Sequence, residues 1–321
     1  MVVPSESLLR SSPERETCRY EHPGADPHRP MMAAPYELRA HRALETPVLL
    51  LATDSWLDAG FGAQGAIAAV LETIPTEVLA TFSADEFIDF RARRPTAQIS
   101  DGVLAGLNWP EIQLRSGQDG AGKSFVVLVG PEPDIAWHAF VRGVVGLAKE
   151  LGVRLVVSLG AYAAAVPHTR PVQLTAIATM AELAAQVGVV PGAIEVQAGI
   201  QTALQEGFAA ADIPAIGIWA RVPHYLAALP YPAASAALVE ALGTVAGLQL
   251  DAGELHAAAA SVLTQIDEVL ATSEEHRALV HGLESVFDGE ATPPPDFSGL
   301  PSGDELAAEL ERFLRDEQEG T

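Results

Sequence analysis

The sequence predicts an α/β fold in which helices cover both faces of a mainly parallel mixed sheet, a three-layer α/β/α arrangement. Short runs of β-branched and aliphatic residues alternate along the chain with segments whose apolar residues recur at helical spacing, as in βαβ units. Several strand segments are almost wholly apolar, which is typical of strands covered on both faces. With 321 residues, the chain can bury a sizeable core in one large or two ordinary domains.

The elements are predicted in chain order from their local patterns. The first half of the chain is expected to contain a strand (PVLLLAT), a Gly/Ala-rich helix, a strand (TEVLATFS), the charged segment DEFIDFRARRP, a half-buried strand (EIQLR), a buried strand (SFVVLVG) and a helix with an apolar stripe (WHAFVRGVVGLAKEL). The second half is expected to contain a strand (VRLVVSLG), a strand (VQLTAIAT), a short helix, a helix near 200–210, a strand (PAIGIWA) and a helix from about Ala233. Asp134 precedes the striped helix and is predicted to be its N-cap.

The last part of the chain has a different composition and leads to four predicted regions. Two helical stripes flank ATSEEH, which predicts either a helical hairpin or one long helix. The regions are a disordered N-terminal extension at 1–34, an α/β core domain at 35–250, the hairpin or long helix packed on the core at 251–290, and a linker with an acidic terminal helix at 291–321.

The stretch GQDGAGKS, Gly117–Ser124, matches the phosphate-binding loop pattern letter for letter. That pattern binds phosphates when a strand precedes the loop and a helix follows it, because the helix N-terminus supplies part of the cradle. Here the residues that follow, FVVLVG, predict a buried strand. We therefore expect a turn between two strands and no nucleotide binding.

Composition limits the classes of binding partner and the cellular compartment that are expected for this protein. The net charge of −23 opposes binding to nucleic acid or to anionic lipid. The sequence has neither an apolar run of about 20 residues, as a membrane span requires, nor a secretory signal, so a cytoplasmic protein is expected. Cys18 is the single cysteine and excludes an internal disulfide. No cofactor and no metal are predicted.

Four loops that follow predicted strands are rich in polar groups: DSWLDAG, PEPDIAW, PHTRP and RVPHY. In a parallel sheet these loops open on the carboxyl edge, where ligands usually bind. We expect one polar cleft formed by Asp54, Trp56, Asp58, Glu132, Asp134, His168, Thr169, Arg170, Arg221 and His224. Two alternatives stay open: Asp134 as a helix cap, and Arg170 and Arg221 as ion-pair partners of Asp54, Asp58 or Glu132 across the sheet edge.

Signatures of specific enzymes are not found in the sequence. Ser158 lacks the preceding glycine of a nucleophile elbow, His276 and His281 do not share a helical face, and no Gly-x-Gly-x-x-Gly follows a strand. The catalytic residues, if there are any, are therefore unknown at this stage.

The segments WLDAG, DEFIDFRARRP, GPEPDIAWHAF and LGAYAAAVPHTRPV, in this order, resemble the proteasome assembly chaperone 2 family of actinobacteria and archaea, over about residues 36–290. The resemblance implies a phosphorylase/hydrolase-like α/β/α domain with an added C-terminal helical region, and no established catalytic residues. Eukaryotic members help to build the proteasome and dock through a hydrophobic-Tyr-any tail, which the final residues DEQEGT do not match.

Two functional hypotheses follow. The first is a non-catalytic, cytoplasmic assembly-chaperone-like or scaffold protein that self-associates, with a trimer among the expected states, and that has a polar cleft and a protein partner. The alternative is a hydrolase or phosphorylase-like enzyme acting on a small polar metabolite through Asp54, Asp58, Glu132, His168 and Arg170. Only analogy with the fold supports the alternative.

Overall fold

The computed structural model describes residues 34–40, 44–189, 192–271 and 273–289. The predicted extension at 1–34 and the predicted linker and terminal helix at 291–321 therefore lie almost entirely outside the described residues. Within the described part the strands are β1 (Tyr36–Leu38), β2 (Val48–Thr53), β3 (Thr76–Phe82), β4 (Thr96–Ser100), β5 (Val103–Asn108), β6 (Ile112–Gln118), β7 (Ser124–Gly130), β8 (Leu155–Ala164), β9 (Leu174–Ala178) and β10 (Ala215–Pro223).

Eight of these strands form one mixed sheet in the order β1-β3-β6-β7-β2-β8-β10-β9. The four central strands, β7, β2, β8 and β10, are parallel to one another. The remaining pairs are antiparallel and lie on both sides of this centre. The predicted mixed α/β sheet with a parallel core is thus confirmed.

Helices cover both faces of the sheet and complete the three layers. The described helices are α1 (Gly62–Thr73), α2 (Ala84–Phe87), α3 (Trp137–Glu150), α4 (Ala181–Ala184), α5 (Ile200–Ala209), α6 (Pro232–Ala246), α7 (Gly253–Ala271) and α8 (Glu274–Phe287). Val48 and Leu50 pack into the core beneath α1 and α6, whereas Leu49 and Leu51 pack into the core beneath α3 and α5. Because neighbouring residues of β2 point to opposite faces, both must be apolar, which explains the unbroken run VLLL.

The GQDGAGKS stretch is the turn of the antiparallel β6–β7 hairpin, as predicted. Asp119 is buried in this turn, and its carboxylate accepts hydrogen bonds from the amides of Ala121 (2.9 Å), Lys123 (2.8 Å) and Gln249 (2.7 Å). Burial alone would raise the pKa of Asp119, but these three amides together lower it. The amides that would face a phosphate in a nucleotide-binding loop thus serve an internal carboxylate.

A second hairpin, β4–β5, was not predicted from the sequence. Its strands pair in a separate two-stranded sheet that follows the charged segment. Asp101 and Gly102 connect the strands with φ of 50° and 79°, the two positive values of a type I′ turn. The Asp-Gly pair was the available signal in the sequence, but the flanking segments TAQIS and VLAGLN have weak strand patterns.

The predicted C-terminal helical region consists of two helices, α7 and α8, rather than one long helix. Ser273 caps α8, because its hydroxyl accepts a hydrogen bond from the amide of His276. Ile266 of α7 and Val280 and Leu283 of α8 are buried in the same core as α1 and α6. The two helices therefore pack on the α/β core.

Candidate functional site

A cavity of about 390 Å³ lies at the carboxyl end of β2. Its walls come from the end of β2, the loop that follows, the first turns of α1, β8 and the start of α5. The lining residues are Leu51, Ala52, Thr53, Asp54, Ser55, Trp56, Asp58, Phe61, Ala63, Gln64, Ile67, Leu159 and Gln201. This is the edge at which parallel α/β sheets usually bind ligands.

Asp58 is held by the N-terminus of α1. Its carboxylate accepts hydrogen bonds from the amides of Ala63 (2.8 Å) and Gln64 (2.9 Å). Burial raises the pKa of Asp58, and the two amide hydrogen bonds offset part of that rise. Asp58 thus satisfies helix amides that would otherwise be unpaired.

Glu132 has the equivalent position at the N-terminus of α5. Its Oε1 accepts a hydrogen bond of 2.6 Å from the amide of Ile200. A Cβ atom on Gly199 would lie 3.2 Å from this oxygen and 3.4 Å from the indole ring of Trp56. The absence of a side chain at Gly199 therefore lets Glu132 and Trp56 meet over the start of α5.

Thr53 and Asp54 end β2 at the floor of the cavity. Gln201 donates from its side-chain amide to the carbonyl of Thr53 at 3.3 Å, and the amide of Asp54 donates to the carbonyl of Gly130 at 2.9 Å. Among the described residues, the buried hydroxyl of Thr53 has no hydrogen-bond partner. Buried polar groups are normally satisfied, so this hydroxyl is unusual.

Asp134 does not cap α3, and this prediction is wrong. Its carboxylate accepts hydrogen bonds from the amide of Asp89 (2.9 Å) and from Nε of Arg93 (3.0 Å). The cap position of α3 is Ala136, with φ of 56°. The reason is that the backbone amide of Asp134 donates to the carbonyl of Phe87, which pins this loop to the charged segment DEFIDFRARRP.

His168 is only 4% exposed and is enclosed between Tyr225 and α7. The Tyr225 hydroxyl accepts from the backbone amide of His168 at 3.0 Å and lies 2.7 Å from Nδ1, so it donates its own proton to this nitrogen. Nε2 then carries the imidazole proton and faces Asp267 of α7 at 3.4 Å. Burial lowers the pKa of His168, which keeps the ring neutral near pH 7.

Thr169 and Arg170 bind α8. Thr169 donates its hydroxyl proton to Glu284, and Arg170 donates to Asp288 through Nε (3.0 Å) and Nη2 (2.6 Å) and to Glu284 through Nη1 (3.0 Å). The two-pronged contact with Asp288 raises the pKa of Arg170 and lowers that of Asp288. The PHTRP loop thus binds the C-terminal helical region through hydrogen bonds and ion pairs.

Arg221 and His224 are not among the residues that line the cavity, and their contacts differ from those of the PHTRP loop. Arg221 donates from its guanidinium to the side chain of Gln173, beside β9. His224 begins a short 3-10 turn, and its ring lies edge-on to Tyr225 with centroids 5.4 Å apart. Burial lowers the pKa of His224, and a hydrogen bond with the backbone of Ala164 offsets part of this effect.

The structure therefore divides the expected single cleft into two places. Asp54, Trp56 and Asp58 line the cavity, Glu132 lies beside it, and His168, Thr169 and Arg170 contact α7 and α8. The cause is strand length: the pairing of Leu51 with Ser158 puts Thr53, the last residue of β2, level with Gly160, whereas β8 runs on to Ala164, a rise of about 13 Å along the strand. The loop after β8 consequently begins well beyond the loop after β2, although both leave the same edge.

Residues that sequence reasoning missed are Thr53, Gln201 and Tyr225. Thr53 is the last residue of the predicted first strand, and Tyr225 directly follows the His of RVPHY, so both were within reach of the same argument. Gln201 offered no local signal, because its place at the cavity depends on the packing of α5.

In the described part of the chain, no group of three or more His, Cys, Asp or Glu side chains is placed to hold a metal ion. No helix of the described segments is long and apolar enough to span a bilayer.

Several solved structures are similar to this chain in sequence and fold. A Mycobacterium tuberculosis protein of unknown function is 34% identical, with a TM-score of 0.73, over 84% of this chain and 94% of that one. A Mycobacterium tuberculosis proteasome-assembly chaperone homologue is 31% identical, with a TM-score of 0.67, over 73% of this chain and 99% of that one. A PAC2 family protein from Streptomyces avermitilis is 32% identical, with a TM-score of 0.64, over 73% and 99%.

No curated protein matches the sequence at a significant level. The family model described as the PAC2 family matches residues 52–270, which include the cavity, the PHTRP loop and most of α7. With this match over more than half of its length, and with the sheet order and helical layers described above, the chain belongs to the PAC2 family.

Proposed function

We propose that this protein is a non-catalytic, cytoplasmic, assembly-chaperone-like scaffold that acts as a self-associated particle on protein partners. Membership of the PAC2 family and similarity to a proteasome-assembly chaperone homologue support the class of function. The observation that carries the proposal is the exposed apolar β4–β5 hairpin, because it gives the chain a surface suited to contact with protein.

The hairpin exposes large apolar side chains on a segment that nearly lacks charge. Ile99, Val103 and Leu104 are 68%, 68% and 61% exposed, and Leu107 and Trp109 are exposed as well. Ile99 pairs with Leu104 across the two strands, so their side chains lie close together. An isolated two-stranded ribbon is only marginally stable in water, and packing against another surface would stabilise it.

A second copy of this chain is the occupant that the charge distribution favours. Two copies that each carry −23 repel each other over most of their surfaces. Residues 96–110 contain a single charged side chain, Asp101, and therefore offer a contact with little repulsion. A standard interface removes about 800 Å² from each partner, and a fully exposed ribbon of this length offers an area of that order.

Four of the five polar groups proposed from the sequence for catalysis have structural tasks that support a scaffold, and Asp54 is the exception. Asp58 and Glu132 accept hydrogen bonds from helix amides, His168 is buried and neutral, and Arg170 is paired with two carboxylates. A catalytic base must reach a proton of the substrate, and a buried or fully paired group does not.

The test combines light scattering with an assembly assay. The wild type at micromolar concentration should be an oligomer, and Leu104→Asp should shift it to the monomer, because a charge would be buried in the contact. Ile135→Asp places the same charge at another exposed apolar residue and should keep the oligomer. In a mixture with proteasome core-particle subunits of the same organism, the wild type and Ile135→Asp should speed core-particle assembly, and Leu104→Asp should not.

Three outcomes would contradict parts of the proposal. A monomeric wild type would refute self-association, and an oligomer that survives Leu104→Asp would place the contact away from the hairpin. An unchanged rate of core-particle assembly, together with turnover of a small polar metabolite by the wild type, would favour the enzyme instead.

A further inference from the structure

The cavity at the end of β2 has a composition that selects the charge of its ligand. Asp54 and Asp58 are its ionisable lining residues, and the carboxylate of Glu132 lies beside it near Gly199. No Lys, Arg or His is among its lining residues in the described part of the chain. The local charge therefore attracts cations and repels anions.

Helix N-termini normally attract phosphates and carboxylates, and two of them meet this cavity. Both already hold a carboxylate of the chain, since Asp58 binds the first amides of α1 and Glu132 binds the first amide of α5. An anionic ligand would have to displace one of these side chains. The remaining field is negative, in agreement with the net charge of −23.

An accessible acceptor and an aromatic ring complete the site. Thr53 also lines the cavity, but its hydroxyl is buried and has no partner among the described residues. The carboxylate of the adjacent Asp54 accepts no hydrogen bond within the described part and is exposed. The indole ring of Trp56 is 57% exposed at the mouth and offers a face for a cation.

We infer that this cavity binds a protonated primary amine on a short aliphatic chain. An ammonium group has three donors, and the exposed carboxylate of Asp54 and the π face of Trp56 are the groups of this cavity that can receive them. Leu51, Ile67 and Leu159 supply apolar wall for the aliphatic part. A volume of about 390 Å³ lies at the small end of the range for ligand pockets.

Two sources present this chemistry: a free alkylamine and the side chain of a lysine in a peptide. Calorimetric titration of the full chain with n-butylamine and with the blocked tripeptide acetyl-Gly-Lys-Gly-amide distinguishes them. Tighter binding of butylamine indicates a small-molecule site, and tighter binding of the tripeptide indicates a lysine site. In either case n-butanol and butyrate, which lack the positive charge, should bind at least tenfold more weakly.

The variants test the residues directly. Asp54→Asn keeps the shape but removes the charge and should weaken amine binding at least tenfold, and Trp56→Leu should weaken it severalfold. Asp101→Asn makes the same change in the β4–β5 turn and should leave binding unaltered. The NMR indole N–H signal of Trp56, assigned by its loss in Trp56→Leu, should move on addition of butylamine.

Butyrate binding as tightly as butylamine, or an affinity that Asp54→Asn does not change, would overturn the inference. Asp54 is exposed and its side chain makes no hydrogen bond in the described part, so this variant should fold, and its melting temperature verifies that. The oligomeric state is a separate readout. Loss of the amine site would leave the proposed scaffold function untouched, and a monomeric wild type would leave the amine site untouched.

Discussion

Several carboxylates of this protein serve backbone amides. Asp58 and Glu132 hold the starts of α1 and α5 at the carboxyl edge of the parallel strands, and Asp119 holds the β6–β7 turn at the opposite edge. Each satisfies amides that helix and turn geometry would leave unpaired. Asp54 differs from them because no backbone amide in the described part of the chain donates to it, which leaves its carboxylate available for a ligand.

At the same scale, His168 makes the stability of the fold depend on pH. Its pKa in the folded state is lowered by burial, whereas in the unfolded chain it lies near 6.5. Below pH 6.5 the unfolded state therefore binds more protons than the folded state, and the free energy of unfolding falls as the pH drops through this window. The loss is about 1.4 kcal/mol for each pH unit until the folded-state pKa is reached.

Urea denaturation between pH 7.5 and 5.5 checks this expectation. His168→Asn keeps a polar group near the Tyr225 hydroxyl but cannot titrate, so its stability should fall less over this range. His224, whose pKa is also lowered, should account for part of the remaining decline. His138→Asn makes the same change at an exposed site and should match the wild-type slope. Equal slopes for His168→Asn and the wild type would contradict the assignment.

At the scale of elements, the β6–β7 hairpin shows why a motif needs its context. The sequence GQDGAGKS meets the letter pattern, but the residues after it pair with β6 as a strand, and Lys123 donates to the carbonyl of Gly247. A phosphate-binding loop needs free amides and a helix N-terminus behind it. In this turn the amides already donate hydrogen bonds to the carboxylate of Asp119.

Asp119→Ala should therefore destabilise the protein by about 2 kcal/mol, because three buried or partly buried amides lose a charged acceptor. Asp101→Asn, in the exposed β4–β5 turn, should change stability by less than about 0.5 kcal/mol. Neither ATP nor GTP should raise the melting temperature of the wild type. A nucleotide-dependent rise that disappears in Lys123→Ala would show that the loop binds phosphate after all.

At the scale of the whole molecule, charge opposes self-association and the apolar hairpin favours it. Each copy carries −23, and salt screens the repulsion between copies over about 10 Å at 0.1 M and about 3 Å at 1 M. Association through a ribbon with a single charged residue should therefore strengthen as salt is added. An interface built from ion pairs would weaken instead.

Analytical ultracentrifugation at 0.05 M and 0.5 M NaCl measures this effect. The dissociation constant of the oligomer should fall severalfold at the higher concentration, and Ile135→Asp should follow the wild type. Dissociation with added salt would indicate that charged side chains hold the copies together, and the hairpin would then not be the main contact.

The sequence by itself determined the identity and order of most elements, because burial patterns are local. The run VLLL specifies a strand covered on both faces, and the stripe from Trp137 to Leu151 specifies a helix with one buried face, whatever their neighbours are. The family was also within reach, since its segments are contiguous in the chain. The β4–β5 hairpin was missed because its exposed strands carry no burial pattern, although Asp101-Gly102 marked its turn.

Only the tertiary structure decided which polar groups meet. Strand order placed the loops after β2 and β8 on one edge, but the length of β8 past the end of β2 was not readable from its residues, and His168 and Arg170 bind α7 and α8 instead of lining the cavity with Asp54. Their partners Asp267, Glu284 and Asp288 are far away in the chain, so no local pattern could pair them. Side-chain contacts of this kind depend on register and packing between elements, whereas the elements themselves depend on the sequence within each segment.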